Sequence, residues 1–157
     1  MDKFDYNLVL MHIPNFQHIG DFLTIRNMML GIAPEIRTLI ASRIDGRIQL
    51  PVITFLRKRF NVENVDLITE PGINRILAEQ LNNNLIESIF SRLLISVEKH
   101  NSVGAAIVGH YDCAGNIADR EEQIQHIKES IKLIRQRFIE LEIIGLWIDE
   151  FWEVNEI

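Results

Sequence analysis

Apolar residues recur along the chain in two patterns, one typical of helices and one typical of buried strands. The clearest helical pattern lies late, with steps of three and four between Ile124, Ile127, Ile131, Ile134, Phe138 and Leu141. This spacing places one apolar stripe on an α-helix, which faces the core or a second copy of the chain. Asp119 can cap the helix, and Glu122 follows three residues later, as in a capping box.

A second helical region extends from Ile73 to about His100. Its apolar residues recur every four positions: Ile73, Leu77, Leu81, Leu85, Ile89 and Leu93. Asn82–Asn84 have low helix propensity and predict a break or a kink. Pro71–Gly72 predicts a turn before this region. A shorter helix is predicted from Pro51 to Phe60, because proline suits the first position of a helix.

Four short apolar runs are continuous rather than alternating, as expected for strands that are buried on both faces. They are Ile36–Ala41, Val65–Ile68, Val103–Val108 and Ile143–Ile148. Strands that alternate with helices indicate βαβ units. The sequence therefore predicts an α/β fold, with a mostly parallel central sheet flanked by helices.

The length of 157 residues predicts a single domain over residues 1–157. Residues 1–35 form an N-terminal extension whose pattern is less regular. Within it, Tyr6–Ile13 is interpreted as an edge strand and Phe22–Leu30 as a helix.

Composition excludes several classes of partner. The net charge of −6 and the pI of about 5.3 argue against nucleic acid, which requires a basic face. No apolar run approaches the length of a membrane span. The only cysteine, Cys113, cannot form an internal disulfide, which fits a reducing compartment. We therefore expect a cytoplasmic protein that binds neither nucleic acid nor membranes.

Candidate chemistry lies in the segment VGHYDCAGN, which follows the third predicted strand. His110 and Cys113 are three residues apart, a workable spacing for two ligands of one zinc ion. In an open parallel sheet, ligands bind at the carboxyl ends of the strands. The segment that follows the first strand contains Arg43, Asp45 and Arg47. If the two strands are neighbours, these three residues meet His110 and Cys113 at one edge of the sheet.

Structural roles also fit these residues. Spacing alone more often makes a His-x-x-Cys pair structural than metal-binding. Asp45 and Arg47 can tie the end of the first strand by an ion pair, and Cys113 can be an inert, partly buried thiol. His126 lies two positions off the apolar stripe of its helix, which predicts a surface position.

Four motifs carry a resemblance to a known family. In chain order they are IDGRIQLPV, ITEPG, GHYDCAGN and GLWIDEFWEV. Together they resemble a bacterial group of carbonic-anhydrase-like proteins within the β-carbonic anhydrase superfamily. GHYDCAG is similar to the second zinc motif of that superfamily, a Gly-His-x-x-Cys sequence after a buried strand. The resemblance implies a β-carbonic-anhydrase-like fold from about Ile36 to Asn155 and assembly as a homodimer.

The resemblance also implies roles for the site residues. In the family, two cysteines and one histidine hold zinc, and water or an aspartate takes the fourth place. His110 and Cys113 match two of these metal ligands. Asp45 and Arg47 match the family's catalytic aspartate–arginine pair. Arg43 stands where the family has its first zinc cysteine.

Arg43 makes zinc binding unfavourable on electrostatic grounds. A zinc ion and a guanidinium about 4 Å apart repel each other by roughly 8 kcal/mol at an effective dielectric near 20. Structural zinc sites bind with only about 10–16 kcal/mol. The leading interpretation is thus a degenerate zinc site without normal carbon dioxide hydration. Arg43 and Arg47 would then bind a small anion such as a carboxylate, phosphate or bicarbonate.

Two alternatives remain open. In the first, Arg43 turns away, and Asp45, His110 and Cys113 hold zinc with a water in the fourth place. The protein would then be a carbonate dehydratase-type zinc lyase that acts on carbon dioxide and bicarbonate. In the second, the chain is a non-catalytic interaction protein that keeps the fold for assembly.

Overall fold

A computed structural model describes the backbone of residues 37–42 and both backbone and side chains of residues 45–157. The predictions for Tyr6–Ile13 and Phe22–Leu30 lie outside these residues, and so does the side chain of Arg43. Residues 35–157 form one compact unit. The prediction of a single domain over residues 1–157 stays a prediction.

Strands and helices alternate along most of the described chain. The strands are β1 Arg37–Ser42, β2 Asn64–Thr69, β3 Gly104–His110, β4 Glu142–Ile148 and β5 Val154–Glu156. The helices are α1 Gly46–Phe60, α2 Ile73–Glu79, α3 Asn83–His100 and α4 Arg120–Arg135. This alternation confirms the predicted α/β class.

The strands form one mixed sheet in the order β2-β1-β3-β4-β5. β1 is parallel to both β2 and β3, and β3 is parallel to β4, whereas β5 is antiparallel to β4. Thr38 pairs with Gly104 in the β1–β3 register, and His110 pairs with Ile148 in the β3–β4 register. The carboxyl ends of β1, β3 and β4 therefore lie at the same edge of the sheet.

Helices cover both faces of the sheet. Alternate residues of β3 point to opposite faces, so Ala105 and Ile107 belong to one apolar cluster and Ala106 and Val108 to the other. The first cluster is completed by α2, α3 and α4, and the second by α1. This packing explains why β3 is a continuous apolar run, since every residue of the strand is buried. None of the helices in the described part of the chain is long and apolar enough to cross a membrane.

Side-chain caps set the helix boundaries. The predicted break in the second helical region is confirmed, since Asn82 accepts a hydrogen bond from the Leu85 N–H at 3.1 Å and starts α3. The Asp119 cap is also confirmed, because its carboxylate accepts the Glu122 N–H at 2.9 Å. α4 ends at Arg135, and the chain beyond it still buries Phe138 in the same cluster.

The predicted start of the first helix at Pro51 is wrong. α1 begins at Gly46, because the Asp45 side chain accepts the Arg47 N–H at 3.0 Å and caps the first turn. Pro51 lies inside α1, where it leaves the carbonyl of Arg47 without its usual helical donor. A proline close to the start of a helix removes a single hydrogen bond, so the helix continues through it.

Candidate functional site

Two segments meet at the carboxyl edge of the sheet, as the strand order predicts. Asp45 follows β1, and His110 is the last residue of the neighbouring strand β3. The guanidinium of Arg47 lies 3.7 Å from the carboxylate of Asp112, in the turn after β3. The structure therefore brings Asp45 and Arg47 to the segment that contains His110.

Asp45 is held tightly by Arg47. Its Oδ1 accepts from the Arg47 backbone N–H and from Nε, each at 3.0 Å, and its Oδ2 accepts from Nη2 at 2.7 Å. Hydrogen bonding to the Arg47 side chain is the main reason why the pKa of Asp45 falls from 3.8 to about 2. The Arg47 backbone N–H and the charges of Arg47 and His110 lower this pKa further, while burial opposes the shift. Both carboxylate oxygens are thus committed to Arg47.

The positive charge of Arg47 is compensated on several sides. Asp45 raises the pKa of Arg47, mainly by hydrogen bonding, and Asp112 adds to this effect. The guanidinium also lies over the ring of Trp152, 4.5 Å from its centroid. Trp152 belongs to the turn between β4 and β5, in which Asp149 accepts the backbone N–H groups of Phe151 and Glu153, each at 3.0 Å. Loops after three strands therefore contribute to one charged cluster.

His110 is buried at the same edge, with 1% of its surface exposed. Its Nδ1 lies 2.6 Å from the carbonyl oxygen of Tyr111. Because a carbonyl can only accept, Nδ1 carries a hydrogen in this contact. Cys113 is also buried, with 6% exposure.

The candidate zinc donors at this edge are His110, Cys113 and Asp45. Within residues 45–157, no three side chains of His, Cys, Asp or Glu form a group that could hold a metal. Asp45, the expected third donor beside His110 and Cys113, has both oxygens in hydrogen bonds to Arg47. Catalytic zinc needs three protein ligands and an open position.

A comparison with protein-family models connects this geometry to known proteins. The family described as "Putative carbonic anhydrase" matches residues 34–157. The chain belongs to the carbonic anhydrase family of that description. This assignment confirms the resemblance drawn from the four sequence motifs. A comparison with curated proteins finds no match.

The fold of this family member is similar to that of a solved β-carbonic anhydrase, CcaA. The β-carbonic anhydrase CcaA is 13% identical over 88% of each chain, with a TM-score of 0.51. CafA of Aspergillus fumigatus is 10% identical over 88% of this chain and 86% of its own, with a TM-score of 0.46. A tetrameric enzyme of Sordaria macrospora is 12% identical over 88% and 92%, with a TM-score of 0.45. At such identities the likeness concerns the fold alone.

Two of the sequence motifs of this carbonic anhydrase family member touch each other. Gly72 of ITEPG has a φ of +66°, which favours glycine. A Cβ at Gly72 would lie 2.2 Å from the carbonyl oxygen of Gly115 in GHYDCAGN. The backbones of the two loops therefore pack directly on each other, which places the turn before α2 behind the loop that carries Cys113.

A buried polar cluster next to this loop was missed by the sequence analysis. It consists of Asn74, Asn116, Gln123, His126 and Ser130, all buried. Asn116 Nδ2 lies 3.0 Å from His126 Nδ1 and 3.3 Å from Asn74 Oδ1, and Gln123 Nε2 donates to the carbonyl of His110 at 3.3 Å. The cluster thus connects α2 and α4 to the end of β3.

The predicted surface position of His126 is wrong. His126 is 8% exposed, and its Nε2 lies 3.3 Å from Glu79 at the end of α2. α4 packs against α2 and α3, so that the side of α4 next to the apolar stripe is buried as well. The sequence contained a signal for this burial, since Gln123, His126 and Ser130 recur in steps of three and four beside the apolar stripe of α4.

Proposed function

We propose that this chain is a β-carbonic-anhydrase-like protein whose degenerate site does not hold catalytic zinc and does not hydrate carbon dioxide in the normal way. The substitution at position 43 carries this proposal, because arginine there leaves His110 and Cys113 as the two donors that match the family's zinc ligands. Asp45 pairs with Arg47, as the resemblance implies, and both of its oxygens accept hydrogen bonds from that side chain. Arg43, at the position of the family's first zinc cysteine, adds a charge that repels a metal ion.

The missing ligand matters because of the chemistry of the reaction. Carbon dioxide hydration of this type depends on a metal-bound water whose pKa is lowered to near neutrality. Arginine cannot replace a thiolate, because it has no lone pair to donate and stays protonated. Two remaining donors, His110 and Cys113, are too few to hold the ion in a catalytic geometry.

A small anion is the proposed occupant of the edge near His110. Bicarbonate, a carboxylate or phosphate would suit the guanidinium groups of Arg43 and Arg47. Asp45 and Asp112 already compensate most of the charge of Arg47. Arg43 would therefore supply most of the attraction for the anion. The proposed location is the cytoplasm, which the single cysteine supports.

Assembly as a homodimer is part of the proposal. Three large apolar side chains are exposed on the loops that follow β3 and β4: Tyr111 at 53%, Ile117 at 86% and Phe151 at 75%. Exposed apolar side chains that cluster on one edge commonly mark an interface. Light scattering at micromolar concentration should give twice the mass of the chain. The mass of a monomer would reject the proposed homodimer.

Zinc content decides the main proposal. Elemental mass spectrometry should be applied to protein that was purified without a chelator or a metal-affinity tag. We expect the wild type to contain far less than one zinc per chain. Arg43→Cys should raise the content to about one zinc per chain, because it restores the family's cysteine and removes the repelling charge.

A matched variant controls for zinc that binds to any added thiol. Arg137→Cys places the same substitution on the surface, where Arg137 pairs with Glu87 and its side chain is 51% exposed. It should leave the zinc content at the wild-type level. About one zinc per wild-type chain, lost in Cys113→Ser together with carbon dioxide hydration, would instead establish an active zinc lyase and overturn the proposal.

A further inference from the structure

A pocket lies away from the candidate site, between α4 and the strands β4 and β5. Its volume is about 370 Å³, and its wall includes Ile143 and Gly145 of β4. In the sheet register, Gly145 pairs with Ile107, and Ile148 pairs with His110. Three residues of strand separate the two positions, which corresponds to about 10 Å. The pocket is therefore distinct from the edge that carries His110.

One wall of the pocket is basic. Lys128, Lys132 and Arg135 line it from α4, and their spacing of four and three places them on one side of the helix. Lys132 pairs with Glu129 at 2.7 Å, and Arg135 Nη2 donates to the carbonyl of Ile143 at 3.1 Å. Lys128 makes no ion pair with any residue in the described part of the chain.

The one acidic residue of the pocket does not compensate this charge. Glu156 accepts hydrogen bonds from Nε and Nη2 of Arg59, at 3.0 and 3.3 Å, on the other side of β5. Its charge is therefore largely taken up by Arg59. The side chains that line the pocket therefore carry an excess of positive charge, in a chain whose net charge is −6. Such local reversal of the overall charge concentrates small anions from solution.

The floor of the pocket is apolar. Ile131 and Ile143 line it, together with the backbone of Gly145. Ile157 closes one side, and its N–H donates to the carbonyl of Gly145 at 3.0 Å. A Cβ at position 145 would lie 2.9 Å from Cγ1 of Ile157, so glycine is what allows this close approach. Pockets for small ligands occupy roughly 300–1,000 Å³ and combine apolar walls with a few polar groups.

We propose that this pocket binds a small organic anion. The carboxylate or phosphate head of the ligand lies at Lys128 and Arg135, and a short apolar body lies over Ile131 and Ile143. Arg135 suits either head, because its planar guanidinium can donate two parallel hydrogen bonds. This function is independent of whether zinc binds near His110.

Titration followed by ¹H–¹⁵N NMR tests the proposal with four probes. Hexanoate and hexyl phosphate share one apolar body and differ in the head. Hexanol lacks the charge, and inorganic phosphate lacks the apolar body. We expect hexanoate or hexyl phosphate to shift the amide signals of residues 125–135, 143–145 and 156–157 to saturation. The probe that binds more tightly identifies the head group, and hexanol and phosphate should bind at least about tenfold more weakly.

Charge reversal in the pocket supplies the decisive comparison. Lys128→Glu should weaken the binding of hexanoate or hexyl phosphate by about tenfold, because it replaces an electrostatic attraction with a repulsion of similar size. Lys58→Glu makes the same change on the exposed side of α1 and should leave the affinity unchanged. Equal weakening in both variants, equally tight binding of hexanol, or no saturable shift at the pocket would each overturn the proposal.

Discussion

The ion pair between Asp45 and Arg47 should make the stability of the folded chain depend on pH. Asp45→Asn removes the negative charge but keeps an oxygen that can still cap α1 through the Arg47 N–H. The substitution therefore isolates the ion pair from the helix cap. Asp119→Asn is a matched control, because Asp119 caps α4 in the same way and forms no ion pair with a described residue.

The lowered pKa of Asp45 gives the size of the expected loss of stability. A fall from 3.8 to about 2 corresponds to about 2.4 kcal/mol, at 1.36 kcal/mol per pKa unit. The side chain of Arg47 is 51% exposed, so solvent screens part of this interaction. We therefore expect Asp45→Asn to lower the free energy of unfolding by about 1–2 kcal/mol at pH 7.

The pKa of Asp45 is lower in the folded state than in the unfolded state, so the stabilisation is present above pH 4. It is lost as the pH falls from about 4 to about 2, because protonation then favours the unfolded chain. The difference between wild type and Asp45→Asn should therefore shrink over this range and be small at pH 2.

Urea unfolding in the presence of a chelator measures this difference. The unfolding is monitored by tryptophan fluorescence at a series of pH values from 7 to 2.5. Asp119→Asn should show a smaller loss, without the decline between pH 4 and pH 2. If the stability difference caused by Asp45→Asn were constant over the whole range, the ion pair would contribute no linked stabilisation, and the assignment of the low pKa to Arg47 would be wrong.

Two further substitutions test the packing that positions the site. Gly72→Ala should cost at least about 3 kcal/mol, because a Cβ would lie 2.2 Å from the Gly115 carbonyl and φ is +66°. Gly46→Ala is its control, since nothing lies within 4 Å of the added Cβ, and it should stabilise α1 by up to about 1 kcal/mol. Asn82→Ala should cost about 1 kcal/mol in thermal or urea unfolding, because it removes the cap on the Leu85 N–H. An unchanged free energy of unfolding in Gly72→Ala or Asn82→Ala would contradict the corresponding contact.

The fold was largely predictable because a strand that is buried on both faces is a continuous apolar run in the sequence. β3 is buried along its whole length, and its sequence is accordingly a continuous apolar run. The break before α3 was predictable from Asn82, whose side chain prefers a cap to a helix interior. The start of α1 was not, because Pro51 suggested a first position while Asp45 supplied the actual cap.

The site was predictable only in part. Parallel neighbouring strands bring their carboxyl ends together, which is why Asp45 and Arg47 were expected near His110. The buried amides of Asn74 and Gln123 were missed, since apolar periodicity gives no weight to polar residues. Their burial depends on how α4 docks on α2, and that contact joins segments far apart in sequence.

The two interpretations of Asp45 exclude each other on energetic grounds. To join His110 and Cys113 at a metal ion, Asp45 must release the guanidinium of Arg47 and the N–H that it caps. The ion pair contributes about 1–2 kcal/mol and the cap about 1 kcal/mol, so the release alone lowers zinc affinity by roughly a hundredfold. It also leaves Arg47 free to repel the ion. A carboxylate that ligates zinc also has a lowered pKa, so only the comparison made with a chelator present assigns the loss of stability between pH 4 and pH 2 to the pair with Arg47.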